Sequence, residues 1–102
     1  MSDLNFQQLS TVQDKPMLLP ATIASTTTIA PTTFLTFISG TTDIATITPP
    51  VTGSVLLAFV WTTTSPGSFL TTGNIAVGST TLVQNKMNLL CYDPSTAKWY
   101  FN

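Results

Sequence analysis

The chain has 102 residues, of which 43% are hydrophobic and only 7% are charged, with a formal net charge of −1. Its length suits one domain. Its charged fraction is far below the about 25% that is typical of globular proteins. Three lysines are too few for a nucleic-acid-binding patch, and the lack of His and Glu excludes Ser-His-Asp and Cys-His catalytic sites. We therefore expect a protein that is not an enzyme, has no cofactor or metal, and commits its neutral surface to protein neighbours.

Residues 1–20 differ from the rest of the chain and are predicted to form an extended N-terminal arm. They end in the proline-bounded stretch PMLLP and show no strong strand pattern. The spacing of apolar residues in so short a stretch fits either one turn of an amphipathic helix or an extended peptide with a row of apolar anchors. We favour the extended arm. The predicted partner-binding residues of the arm are Leu4, Phe6, Leu9, Met17, Leu18 and Leu19.

From Ala21 onward, short runs of β-branched and aromatic residues alternate with Gly, Pro, Asn and Asp. The strongest run, VLLAFVW, is continuously apolar and predicts a strand that is buried on both faces. We predict that residues 21–102 form an all-β, jelly-roll-like β-sandwich of about eight short antiparallel strands, with the strand order left open. The predicted strands are 21–29, 34–38, 44–48, 54–61, 69–71, 74–77, 81–83, 87–92 and 99–101.

No segment of the sequence predicts export or membrane insertion. The N-terminus lacks the basic start and apolar core of a signal peptide, and the longest apolar run, 55–61, is far shorter than the ~20 residues that cross a bilayer. We therefore expect synthesis in the cytoplasm and no membrane partner. Cys91 is the only cysteine, and its setting in MNLLCY predicts a small apolar core residue.

Two aspartates and the glycines are the remaining candidates for chemistry. Asp43 and Asp93 would form a carboxylate pair for glycoside hydrolysis only if the fold brought them together. We favour turn positions for both, because Asp43 follows Thr41-Thr42 and Asp93 begins a D-P-S-T turn. The segment GSFLTTGNIAVG has the glycines of a phosphate-binding loop but no following helix, so we assign its glycines to hairpin turns.

The C-terminal sequence KWYFN is the candidate subunit contact. Strand alternation requires that either Trp99 and Phe101 or Tyr100 face outward. Trp and Tyr are enriched at protein interfaces, so we predict a subunit interface that contains Trp99, Tyr100 and Phe101. An ordinary closing strand remains the alternative.

The order of these segments resembles a known group of β domains. The pattern runs from GTTDIATITPP through GSVLLAF and GNIAV to LLCYDPSTAKWY, and it covers residues 34–102. It is similar to β domains of tailed-bacteriophage virion proteins, which include capsid decoration (cement) proteins and tail-fibre or tailspike tips. The resemblance implies a structural role in the virion and assembly as a homotrimer.

Within this resemblance, the size of the chain and its N-terminal arm favour the capsid over a fibre. The chain has no repetitive shaft, and the arm resembles the extended segments by which decoration proteins hold capsid subunits or each other. The expected function is to bind the major capsid protein on the outer capsid surface, through many weak contacts, and to stabilise the lattice. The alternatives are a receptor-binding module in which Trp61 or Phe69 stacks on a glycan, and a structural subunit of the tail or portal.

Overall fold

The structure is a computed structural model that describes residues 20–78 and 82–102. The described residues contain strands, turns and bends but no helix, which confirms the all-β prediction. The residues of the predicted arm before Pro20 lie outside this part of the chain. The seven strands are β1 (Ala21–Ala24), β2 (Thr28–Ile29), β3 (Leu35–Ser39), β4 (Thr46–Ile47), β5 (Val55–Trp61), β6 (Met87–Asp93) and β7 (Lys98–Phe101).

Five of the strands form a mixed sheet in the order β1-β3-β5-β6-β7. The antiparallel prediction is wrong for half of this sheet, because β1, β3 and β5 are parallel neighbours while β5, β6 and β7 pair antiparallel. Parallel neighbours need long connections that return the chain to the same end of the sheet. Residues 25–34 and 40–54 provide these connections, and each connection contains one strand of a second sheet, β2–β4, which is also parallel.

Residues of the second sheet share a buried core with one face of the five-stranded sheet. Ile29 from β2 and Ile47 from β4 belong to the same buried cluster as Leu57 and Phe59 of β5. The two tryptophans, Trp61 and Trp99, are 2% and 0% exposed in this cluster. We call the side of the five-stranded sheet that faces the cluster the core face, and the opposite side the outer face.

The buried polar side chains Asn88, Thr33 and Thr36 are all hydrogen-bonded inside the structure. The Trp61 indole Nε1 donates to Asn88 Oδ1 at 2.8 Å, and Asn88 Nδ2 donates to the backbone carbonyl of Asn102 at 2.9 Å. Thr33 and Thr36, both buried, share a hydrogen bond of 3.0 Å between their hydroxyl oxygens. Among the described residues, every buried side-chain nitrogen or oxygen has a hydrogen-bond partner, as expected for a stable core.

Several predicted strands are shorter than expected or do not form. The predicted strand 21–29 is divided at Ser25, whose Oγ accepts a hydrogen bond from the Thr42 backbone amide at 3.0 Å. The predicted strands around Phe69 and Ile75 form only single bridges, to Ile44 and Trp99 respectively. Part of the predicted strand 81–83 lies outside the described residues.

Candidate functional site

The outer face of the five-stranded sheet is the candidate functional site. Alternation along β5 places Leu57 and Phe59 on the core face and Leu56, Ala58 and Val60 on the outer face. The strand register continues this arrangement into the neighbouring strands and aligns the outer residues in three rows across the sheet. The rows are Leu56–Cys91–Tyr100, Leu35–Ala58–Leu89 and Phe37–Val60–Met87.

These three rows are apolar and partly open to solvent. Leu56 and Met87 are each 52% exposed, Tyr100 is 40% exposed and Leu89 is 39% exposed. Ala58, at the centre of the middle row, is only 1% exposed because its small side chain lies between the larger Leu35 and Leu89. A contiguous exposed apolar surface on a small domain marks an interaction site, whereas single exposed apolar residues do not.

The outer face carries no charged side chain among its three rows. In the described residues, the charged side chains are Asp43, Lys86, Asp93 and Lys98, and they lie in loops and at strand ends. The register places the Asp93–Lys98 pair next to the Leu56–Cys91–Tyr100 row, at the margin of the outer face. Lys98 Nζ donates to the backbone carbonyl of Gly73 at 3.2 Å, so this ammonium group is directed to a loop. The three rows therefore offer apolar contact and shape, rather than charge, for recognition.

The structure separates the three residues of the predicted subunit interface. Trp99 is fully buried on the core face, and its indole Nε1 donates to the Ile47 backbone carbonyl at 2.8 Å. Phe101 is half-buried, with its ring centroid 4.6 Å from that of Phe69. Trp99 is therefore not available to a second subunit, and the prediction is corrected at that position. Tyr100 alone projects from the outer face.

Cys91 lies on the outer face and is exposed, so its prediction as a core residue is wrong. The error arises because MNLLCY contains apolar residues on both sides of a strand. Leu90 is 0% exposed and faces the core, so alternation places Leu89 and Cys91 on the other side. The same effect makes VLLAFVW appear buried on both faces, although Leu56 is 52% exposed. In both segments apolar residues occupy consecutive positions instead of alternating with polar ones. This pattern was the sequence signal that the outer face of the sheet is also apolar.

Asp93 holds a turn, as predicted, whereas Asp43 lies outside any turn and joins two loops that are distant in sequence. Asp43 Oδ1 accepts a hydrogen bond from the Ser68 amide at 2.8 Å. Asp93 Oδ1 accepts from Ser95 Oγ at 2.7 Å and from the Ser95 amide at 3.0 Å. The Ser95 hydroxyl, followed by the Ser95 amide, lowers the pKa of Asp93 below its ordinary value of 3.8. In the described part of the chain, no group of three His, Cys, Asp or Glu side chains could hold a metal ion.

The aromatic residues of the glycan-binding alternative are buried. Trp61 and Phe69 are each 2% exposed, and their ring centroids lie 5.5 Å apart in an edge contact. A ring that stacks on a sugar must present a face to solvent, so neither residue fits that role in this structure.

No protein-family model, curated protein or solved structure matches this chain. Across residues 20–78 and 82–102, the structure has no helix that is long and apolar enough to span a membrane.

Proposed function

We propose that this chain is a non-enzymatic structural protein of a bacteriophage virion, and that it acts as a capsid decoration protein. The observation that supports this proposal is the set of three uncharged, apolar rows on the outer face of a sheet that is already stabilised from the core side. Its partner in the proposal is the major capsid protein on the outer capsid surface, and self-association as a homotrimer follows from the same resemblance.

The shared core of the two sheets supports a sandwich-like architecture for this domain. Ile29 and Ile47 pack from the β2–β4 layer against the cluster that contains Leu57 and Trp99. In this arrangement all large core side chains are used on one face, so contacts on the outer face are available to a neighbour without disturbing the core. A rigid sheet of this kind presents a fixed surface, which lowers the entropic cost of binding a lattice.

The chemistry of the three apolar rows favours a partner that presents many binding sites close together. An apolar, uncharged patch gains little from electrostatic steering, so a single copy binds slowly and weakly. Many copies on a repeating lattice, each also held by an arm, bind with much higher avidity than one copy alone. The proposed arm anchors Leu4, Phe6 and Leu9 add apolar contacts to a neighbouring subunit.

Co-sedimentation with undecorated capsids of the phage that encodes the chain tests this proposal. We expect the wild-type protein to sediment with the capsids and Leu56→Lys to remain in the supernatant, because the substitution places a charge in an apolar contact. Thr72→Lys is the matched control, since it adds the same charge at an exposed turn residue away from the outer face. Equal sedimentation of all three proteins would contradict the role of the outer face.

Removal of the arm separates its contribution from that of the sheet. A variant without residues 2–20 is expected to fold, because the two sheets of the described residues begin at Ala21, but to lose attachment to capsids. Retained attachment would refute the arm as an attachment device. Cryo-electron microscopy of the particle then locates the chain: density in threes on the capsid lattice supports the proposal, and density confined to the tail contradicts it.

A further inference from the structure

We propose that the free edge of β1 pairs with the same edge of a second copy of this chain, so that two five-stranded sheets join about a twofold axis. The inference goes beyond the proposed function, because it requires neither a capsid nor the arm. It is also a different contact from the threefold one that the resemblance implies. The residues that carry it, Thr22, Ile23 and Ala24, all lie in the described part of the chain.

The backbone of β1 presents hydrogen-bonding groups on the side away from β3. The Ser25 amide donates to the Ser39 carbonyl at 2.7 Å, so Ser25, and Ile23 two residues earlier, direct their backbone groups toward β3. Thr22 and Ala24 direct theirs the opposite way, and both residues are exposed. Strand β1 is the last strand of its sheet, and across residues 20–78 and 82–102 no strand pairs with its outer edge. The amides and carbonyls of Thr22 and Ala24 are therefore open to a further strand.

Two other strand edges are protected by the chain itself. At β7, the Trp99 amide donates to the Asn74 carbonyl at 2.8 Å, and the Trp99 carbonyl accepts from the Ala76 amide at 2.9 Å. At β2, the Thr28 carbonyl accepts a hydrogen bond from the Thr26 hydroxyl. Proteins block their remaining edges with charged side chains, proline or bulges, which prevent pairing with another chain. Strand β1 has the sequence ATIA, without charge or proline, so its edge favours pairing.

A twofold axis at Ile23 matches the edges of the two copies completely. In an antiparallel pair with Ile23 opposite Ile23 of the second copy, Thr22 lies opposite Ala24 of that copy, and each such pair exchanges two hydrogen bonds. Every outward amide and carbonyl of Thr22 and Ala24 then has a partner in both copies. A shift by two residues would place Pro20, which has no amide, opposite Ala24 and leave the Ala24 carbonyl unpaired. The edge therefore selects the register at Ile23.

The side chains of β1 also suit a second copy. Ile23 is partly buried at the margin of the core, and in the twofold pair its Cα lies about 4.5 Å from that of the other Ile23, so the two side chains cover each other. Thr22 and Ala24 are small, so they do not obstruct the approach. No residue between Lys15 and Asp43 is charged, so β1 and its sequence neighbours bring no like charges to the axis.

Pairing at β1 places the two outer faces side by side. Thr22 pairs with Phe37 and extends the Phe37–Val60–Met87 row to the edge of the sheet. One outer face of about 19 Å by 20 Å covers about 400 Å², roughly half of the ~800 Å² per partner in a stable interface. Two joined faces reach this area. If the proposed function holds, a pair of copies therefore offers the capsid a surface of full size.

Disulfide trapping of Ile23→Cys tests the proposal in the full chain. The background carries Cys91→Ser, which removes the only native cysteine. In the proposed register, the two Cα atoms at position 23 lie about 4.5 Å apart, within the range that a disulfide spans. Thr22→Cys is the matched control, because its Cα atoms lie about 9 Å apart, beyond the limit of ~7 Å. In a glutathione redox buffer we expect Ile23→Cys to form covalent dimers about ten-fold faster than Thr22→Cys.

Ala24→Pro, added to Ile23→Cys, tests the hydrogen bonds of the edge. The substitution removes the outward amide of residue 24 but no hydrogen bond to β3, so the domain should still fold. Formation of the covalent dimer should fall about ten-fold, because the pairing loses the amides of residue 24 in both copies. Urea midpoints measured with reduced protein show whether each variant is folded. If Ala24→Pro fails this check, the comparison of Ile23→Cys with Thr22→Cys decides alone.

The remaining outcomes contradict the proposal. Equal rates for Ile23→Cys and Thr22→Cys, or no effect of a folded Ala24→Pro, would mean that random collisions form the disulfide. Faster trapping of Thr22→Cys would overturn the register at Ile23. If no variant forms a covalent dimer, the edge is closed to a second copy and the inference is wrong. Loss of capsid sedimentation by a protein that is still trapped at Ile23→Cys would count against the proposed function alone.

Discussion

The indole Nε1 of Trp99 donates a hydrogen bond of 2.8 Å to the backbone carbonyl of Ile47, 52 residues away in sequence. The side chain of Asn74 holds the same residue from the other side, since its Nδ2 donates to the Ile47 carbonyl at 2.7 Å and its Oδ1 accepts from the Ile47 amide at 2.9 Å. Trp99 lies on β7, so its hydrogen bond joins β4 to the five-stranded sheet, while Asn74 joins β4 to the loop between β5 and β6.

Trp99→Phe is expected to lower the free energy of unfolding by about 2 kcal/mol, because it removes this hydrogen bond and leaves a small cavity in the core. Urea denaturation followed by far-ultraviolet circular dichroism measures the change. Tyr100→Phe is the control: its exposed hydroxyl makes only a contact of 3.3 Å with Thr96, so the midpoint should hardly move. Equal losses in the two variants would contradict the burial of Trp99.

Gly73→Ala is expected to destabilise the protein by about 3 kcal/mol, because a side chain at this position overlaps a closely packed backbone. A Cβ atom at Gly73 would collide with the carbonyl oxygen of Ala45 and with Thr46 Oγ1. Gly78→Ala is the matched control, since the nearest atom to its Cβ would be the Phe69 carbonyl oxygen at 3.5 Å, an ordinary contact. Thermal unfolding of both variants decides the point, and a Gly73→Ala protein as stable as the wild type would show that the loop packs differently.

The two faces of β5 predict opposite effects for adjacent leucines. Leu57→Ala should cost about 2–5 kcal/mol because Leu57 is 0% exposed in the core. Leu56→Ala should cost less than about 1 kcal/mol because Leu56 is 52% exposed. Urea midpoints measured side by side test the assignment, and a reversed order would mean that the strand has the opposite orientation.

Asp93 should make stability depend on pH in the acidic range. Because the folded chain holds the pKa of Asp93 below its ordinary value of 3.8, the unfolded chain takes up this proton first as the pH falls. The stabilisation by Asp93 is therefore complete above about pH 4 and is lost as the pH falls from there through the folded pKa. The effect is small, since the carboxylate is exposed.

Asp93→Asn isolates this contribution. The variant keeps a side-chain acceptor for the Ser95 amide but does not titrate, so its urea midpoint should fall less steeply than that of the wild type below about pH 4. Both proteins share the other carboxylates, which makes the difference between their curves specific to position 93. Parallel curves would contradict the prediction.

Local sequence patterns were sufficient to predict the strands that now form the centre of the sheet. Continuous apolar character predicted β5 at residues 54–61, where the structure has Val55–Trp61, and the turn at Asp93 placed the boundary between β6 and β7 correctly. These features depend on residues that are close in sequence, so composition and turn chemistry are enough to detect them.

The pairing of the strands and the choice of their buried face depend on residues that are distant in sequence, so the sequence was insufficient to predict them. Nothing local distinguishes the parallel pairing of β1 with β3 from a hairpin, because the decision lies in the path of residues 25–34 over the core. The outer face was missed for a related reason: Leu56 and Cys91 have the composition of core residues, and only the pairing of their strands shows that they share an open surface. Tests of the outer face therefore bear on function more directly than tests of the core.

The position of β5 in the sheet determines when the molecule can fold during synthesis. Its antiparallel neighbour ends at Asp93, and the strand beyond that neighbour ends at Phe101. A nascent chain that has just exposed β5 therefore has an apolar strand with one unpaired edge until about 32 further residues, those up to Asp93 at the end of β6, have left the ribosome. A chain that stops before β6 is complete is therefore expected to leave this edge of β5 unpaired and to form aggregates rather than a smaller stable domain.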